Sequence, residues 1–164
     1  MMCAICENKK PLKTTSVRAY RYKESGLDNV ILHGVKESRC EACGEIYYSF
    51  GDIDKLHHLI AHHLIRKTEV LTGQEIRFLR KFLGFSSAAF AKLVGYELEH
   101  LSRVENGKHD VQKTFDHLVR MLVAKQLPDR DYNLQDLLLD GKAMKIKWLE
   151  FSLKGKDWKL GKAA

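Results

Sequence analysis

Thr72-Gly73-Gln74-Glu75-Ile76-Arg77-Phe78-Leu79-Arg80-Lys81-Phe82-Leu83-Gly84 is the stretch on which the fold turns. Thr72 stands three residues before Glu75, the spacing of a capping box, and Ile76, Leu79 and Leu83 recur at helical intervals up to a glycine stop. A first helix is expected there. Ser86 or Ser87 then caps a second helix over 88–94, with Phe90, Ala91 and Val94 facing inward. Gly95 turns the chain into a third helix over 97–106, which buries Leu98 or Leu101 together with Val104 and stops at Gly107. A fourth helix over 113–125 carries Phe115, Leu118, Val119 and Leu122. Two short helices joined through glycine inside a four-helix cluster are the geometry that seats a recognition helix in the DNA major groove.

Upstream, 52–67 reads as helix, with an acidic first turn and Ile53, Leu56, Ile60 and Leu64 on one stripe. It also carries His57, His58, His62 and His63. His58 and His62 are i, i+4 neighbours, but with no third ligand beside them the histidines are read as a partly solvated polar face or an interface with mild pH sensitivity. No H-E-x-x-H arrangement is present, so a metalloprotease is not supported.

Further upstream lie the chain's four cysteines, spaced as Cys3-x-x-Cys6 and Cys40-x-x-Cys43. Two such pairs let each turn grip one ion through two sulfurs, giving a closed tetrahedral S4 site of the structural zinc type with no open position for catalysis. Gly44 suits the turn after the second pair, whereas Glu7 at the matching position fits it less well. Rubredoxin-type iron and a dithiol redox pair are the alternatives, although the latter lacks its βαβ setting. Between the pairs, partial alternation over 14–23, a turn-like break over 25–29 and the β-branched run over 30–35 suggest a small antiparallel sheet. About fifty residues of this kind bury too little apolar surface to stand alone, and a metal supplies the missing stability.

The helical stretch quoted above, continued by Phe90-Ala91-Lys92-x-Val94-Gly95 and Leu101-Ser102-Arg103-Val104-Glu105-Asn106-Gly107, resembles the Cro/XRE-type helix-turn-helix. Joined to the four-cysteine module, it resembles the MqsA (YgiT-type) zinc-finger/helix-turn-helix antitoxin family over about residues 1–125. The resemblance implies two activities. The zinc module binds and neutralises a cognate toxin, an mRNA-cleaving ribonuclease, and the helix-turn-helix represses its own operon as a homodimer on palindromic double-stranded operator DNA. Arg103, on the motif's Ser-Arg pair, is the leading base or phosphate contact, with Ser86, Ser87, His100 and Lys108 beside it. The start of the third helix departs from the family's small polar residues: Glu97-Leu98-Glu99-His100 sets two carboxylates where phosphates repel them, although Glu99 can accept a hydrogen bond from cytosine N4. Glu105 is expected to pair locally rather than face DNA.

Beyond Pro128 the chain exceeds what the family requires. A short helix over 134–139 and a hairpin over 145–160 anchored by Ile146, Trp148, Phe151 and Trp158 are expected. Seven lysines over 141–164 interleave with those aromatics. They suit phosphate, a membrane, an acidic protein or simply solvent, and no role is assigned to them. Overall, 28 Lys and Arg against 21 Asp and Glu give the 164-residue chain a charge of +7, which favours a polyanionic partner. No apolar run approaches a membrane span and the N-terminus has no signal-peptide pattern, so a cytoplasmic protein without membrane association is expected. No nucleophile–base constellation, phosphate loop or open metal site suggests an enzyme. The expected class is α+β: a zinc-bound β module (1–51), a connecting helix (52–71), an all-α helix-turn-helix domain (72–127) and a basic extension of unknown role (128–164). A stand-alone zinc-containing regulator, of a phage or mobile element, is the alternative to an antitoxin.

Overall fold

A computed structural model describes residues 3–8, 10–127, 132, 137 and 147–161. Among them are five α-helices and two sheets, a mixed α+β architecture. In chain order these are β1 (Lys13–Val17), β2 (Tyr20–Arg21), β3 (Val30–His33), β4 (Val35–Arg39), β5 (Ile46–Ser49), α1 (Ile53–Leu64), α2 (Gly73–Phe82), α3 (Ser87–Val94), α4 (Leu98–Glu105), α5 (Lys113–Gln126), β6 (Leu149–Lys154) and β7 (Asp157–Leu160).

The N-terminal strands form one long hairpin broken in two. Val17 pairs with Val35 and Tyr20 with Leu32, while Gly34 between β3 and β4 takes φ 86°, a left-handed turn that splits the ladder. One half becomes the antiparallel sheet β1-β4-β5, the other the sheet β2-β3-β6-β7. The single small antiparallel sheet expected from sequence is therefore replaced by two sheets. The second recruits the C-terminal hairpin by parallel pairing of β3 with β6, Val30 to Leu149 through His33 to Ser152.

That pairing also revises how the N-terminal module is stabilised. Leu149, Phe151 and Trp158 are buried in the same apolar core as Val30 and Leu32, so the hairpin supplies surface that the first fifty residues lack. Asp157 adds an ion pair to Lys55 at 2.7 Å, and Glu150 meets His33 at 3.0 Å. Of the expected anchors, Ile146 lies outside the described residues, as does the helix over 134–139 apart from buried Leu137. Trp148 is half-buried, with the Arg21 guanidinium 5.6 Å over its ring.

The helices follow the local signals closely. Asp52 caps α1 by accepting the Lys55 N–H, and Leu56, Ile60 and Leu64 are fully buried. Ile53, in the first turn and expected on the same stripe, is 38% exposed, and the helix stops at Leu64 rather than residue 67. The capping box of Thr72 and Glu75 opens α2, and Ile76 and Leu79 are buried. Ser86 caps α3 through the Ala89 N–H, and Gly95 closes it at φ 74°. In α4, Leu101 and Val104 are buried and Leu98 is half exposed. Gly73 lets α2 press against the end of α4: a Cβ there would collide with the Val104 carbonyl oxygen.

Buried ionic groups hold the helices in place, among them a 2.6 Å pair of Lys67 with Glu75. Arg120 of α5 bonds Asp116 and donates to the carbonyls of Ile65, Lys67 and Glu69, while Asp116 accepts the Leu71 N–H. The segment between α1 and α2 is thus pinned to α5. Arg80 of α2 forms a two-pronged pair with Glu105 of α4, at 2.6 and 3.0 Å, and reaches the Phe85 carbonyl. The expectation that Glu105 pairs locally agrees with this geometry.

Candidate functional site

The cysteine pairs sit in two matching turns. In the first, the Glu7 N–H donates to the Cys3 carbonyl at 3.1 Å; in the second, the Gly44 N–H donates to the Cys40 carbonyl at 2.9 Å. Gly44 takes φ 78°, and Glu7, with φ 55°, is the one non-glycine with positive φ among the described residues. The misfit expected at Glu7 is thus a left-handed backbone carried by a residue with a Cβ.

The second turn is the β4–β5 connection, so the sheet aims Cys40 and Cys43 at the first turn. All four sulfurs lie within 4.8 Å of one another, with Cys3 to Cys43 at 3.5 Å and Cys6 to Cys40 at 3.7 Å. None is in a disulfide. A tetrahedral ion with bonds of about 2.3 Å requires sulfurs roughly 3.8 Å apart, so the donor set fits a closed S4 site and can hold a metal ion.

The environment favours thiolates at the first cysteine of each pair. The Tyr47 hydroxyl, 3.4 Å from Cys3 Sγ, and then the Cys6 backbone N–H lower the Cys3 thiol to about 6. The backbone N–H groups of Cys43 and then Ala42 lower Cys40. Amides converging on sulfur stabilise its charged form, the form that binds metal.

The second candidate region is the outer face of α3 and α4. Ser86 is spent on its cap. Ser87, at the start of α3, joins Arg77, Lys81, Leu98 and Ser102 around a cleft of about 500 Å3 floored by the Arg80–Glu105 pair. Arg103 and Glu99 lie one turn apart on α4, with a loose 3.8 Å ion pair and side chains 55% and 88% exposed. His100 stacks edge-on against Tyr96, ring centroids 4.6 Å apart, and stands 5.3 Å from the His109 ring. Lys108 is exposed, and its backbone N–H donates to the Arg103 carbonyl at the end of α4. Arg103, Glu99 and His100 therefore share one helix, Ser87 lies across the cleft, and Lys108 sits just past the helix end. Arg77, Lys81 and Ser102 were not singled out by sequence; the helical spacing of Arg77 and Lys81 was the available signal.

Of the α1 histidines, His57 meets the Tyr22 hydroxyl at 3.0 Å, His58 bonds the Asp54 carbonyl, and His62 meets the Tyr132 hydroxyl with the His63 ring 5.1 Å from its own; His62 is buried, unlike the partly solvated face expected. No described helix is long and apolar enough to cross a membrane.

Residues 1–130 match the family model described as the antitoxin component of the bacterial toxin-antitoxin system, MqsA. The match takes in the cysteine turns and α1–α5 and ends before the β6–β7 hairpin. No curated protein and no solved structure matches the chain. With four-fifths of its length covered by one family model, and with the cysteine cluster and the helical set inside that span, the chain belongs to the MqsA family of bacterial antitoxins.

Proposed function

We propose that the protein is the antitoxin of a type II toxin-antitoxin system, a non-enzymatic cytoplasmic regulator that neutralises a ribonuclease toxin and represses its own operon. The observation that carries this reading is the family match over 1–130, which joins the cysteine turns to the helices in one span. Zinc is the proposed ion: Cys3, Cys6, Cys40 and Cys43 offer four sulfurs and no open coordination position, and the ion's contribution is structural. The proposed module boundaries are 1–51, 52–71, 72–127 and 128–164, with the β6–β7 hairpin of the last completing a sheet of the first.

On the DNA side, α4 is the recognition helix of a homodimer and enters the major groove of a palindromic operator. Arg103 contacts a base or phosphate, Ser86 and Ser87 flank the backbone at the start of α3, and His100 and Lys108 complete the footprint. Glu99 accepts from cytosine or restrains Arg103 through their ion pair. The cleft residues Arg77 and Lys81 add positive charge beside that path.

Two linked assays test the proposal. The chain is titrated on its own promoter in a gel shift, and it is co-expressed with the product of the neighbouring gene in a growth assay. Specific retardation together with rescue of growth is expected. Promoter binding without rescue would support a stand-alone regulator, and neither response would end the proposal.

A further inference from the structure

The first cysteine turn is short, exposed on one side and outside every strand. Among the described residues, a side chain other than the cysteines ties it to the sheet that carries the second turn. Tyr47 of β5 places its hydroxyl 3.4 Å from Cys3 Sγ and 3.1 Å from the Ala4 backbone nitrogen, which donates to it. The ladder of β4 and β5 fixes where that hydroxyl lies, since Tyr47 pairs with Ser38 and Ile46 with Arg39, directly beside Cys40. With the Ala4 N–H filling one lone pair, the hydroxyl proton is free to point at the sulfur.

We infer that Tyr47 is a positioning residue of the metal site, whose hydroxyl orients Cys3 for coordination and holds the first cysteine turn on the β4–β5 turn. The inference rests on the metal reading of the four cysteines. Its physical basis is general: outer groups that hydrogen-bond a ligand fix its direction and tune its electron density, and losing one weakens metal binding by 10- to 100-fold. No sequence pattern marks Tyr47. It is recruited by strand pairing across a turn, not by spacing from the cysteines.

The test uses the full chain as wild type, Tyr47→Phe and Tyr48→Phe, the last removing a neighbouring, exposed hydroxyl on the other face of β5. Tyr47 is only half-buried, so loss of one oxygen leaves the fold intact, read by far-UV circular dichroism before titration. Zinc is transferred to a chromogenic chelator, and Co2+ is bound in parallel for its sulfur-to-cobalt charge-transfer band. Tyr47→Phe is expected to lower zinc affinity by about 10- to 100-fold. It also moves the cobalt band to longer wavelength, because a thiolate relieved of a hydrogen bond gives up electron density more readily. Tyr48→Phe leaves both unchanged. A Tyr47→Phe chain with wild-type zinc affinity and an unmoved band overturns the inference while leaving the metal site standing. A wild-type chain that takes up neither ion overturns the metal reading itself.

Discussion

Glu7 holds a φ of 55°, in the left-handed region that its counterpart Gly44 enters at 78° without a Cβ. Left-handed backbone costs a non-glycine residue about 1 kcal/mol or more, so Glu7→Gly is expected to stabilise the metal-bound chain by about 1 kcal/mol in denaturant unfolding. On α4, Arg103 is exposed and pairs loosely with Glu99 across one turn. Arg103→Ala is expected to weaken operator binding by roughly 1 to 3 kcal/mol in a gel-shift titration, and unchanged affinity would remove α4 from the interface. His57 offers a pH test. Burial pushes its ring below the ordinary 6.5, helped by the neighbouring His58 and opposed by Asp54. The folded state therefore holds the neutral ring, and the unfolded chain takes up the proton first as pH falls below that value. Stability is thus full above the unfolded value and declines as pH drops towards the depressed folded one. His57→Gln should flatten that decline between about pH 7 and 5, and an unaltered pH profile would locate the dependence elsewhere.

Between elements, the tight contact is α2 on α4. Because a Cβ on Gly73 meets the Val104 carbonyl, Gly73→Ala must separate the helices that carry the Arg80–Glu105 pair, whose side chains are almost wholly buried. Breaking such a pair costs about 3 to 5 kcal/mol, so the melting temperature should fall sharply and DNA binding with it. The β6–β7 hairpin gives the complementary test. Ending the chain at residue 146 strips Leu149, Phe151 and Trp158 from the core and leaves β3 as an open edge. Burying one such side chain is worth about 1.5 to 3 kcal/mol, so the shortened chain is expected to lose its N-terminal sheet and aggregate while α2–α5 retain their helical signal. A truncated protein with unchanged circular dichroism and melting would show the hairpin to be an appendage. Lys147, Lys154, Lys156 and Lys159 are exposed on a hairpin paired to β3, the arrangement of a solvated side of a strand pair, where the sequence alone left several roles open.

Across the whole molecule, what sequence exposed was whatever is encoded within one or two turns of chain. The capping box at Thr72 and Glu75, the glycines after α2, α3 and α4, and the Cys-x-x-Cys spacings all act on their own neighbours, and each appears where the pattern placed it. What sequence hid depends on partners far along the chain. The parallel pairing of β3 with β6 joins residues more than a hundred positions apart and leaves no periodic trace. Arg120 reads as one more charge on α5 until its three carbonyl acceptors are seen. Ile53 obeys the helical stripe yet faces solvent, because periodicity gives a direction and not the extent of the core. For the same reason the cysteine site was legible and its tyrosine was not. The account as a whole rests on a metal-held N-terminal module carried by the same chain as a DNA-facing helix set. Elemental analysis of the purified full chain tests this most directly: one zinc ion per chain is expected, with the β-sheet signal lost on chelation. A protein that is free of metal and keeps its full sheet content and melting temperature would contradict it.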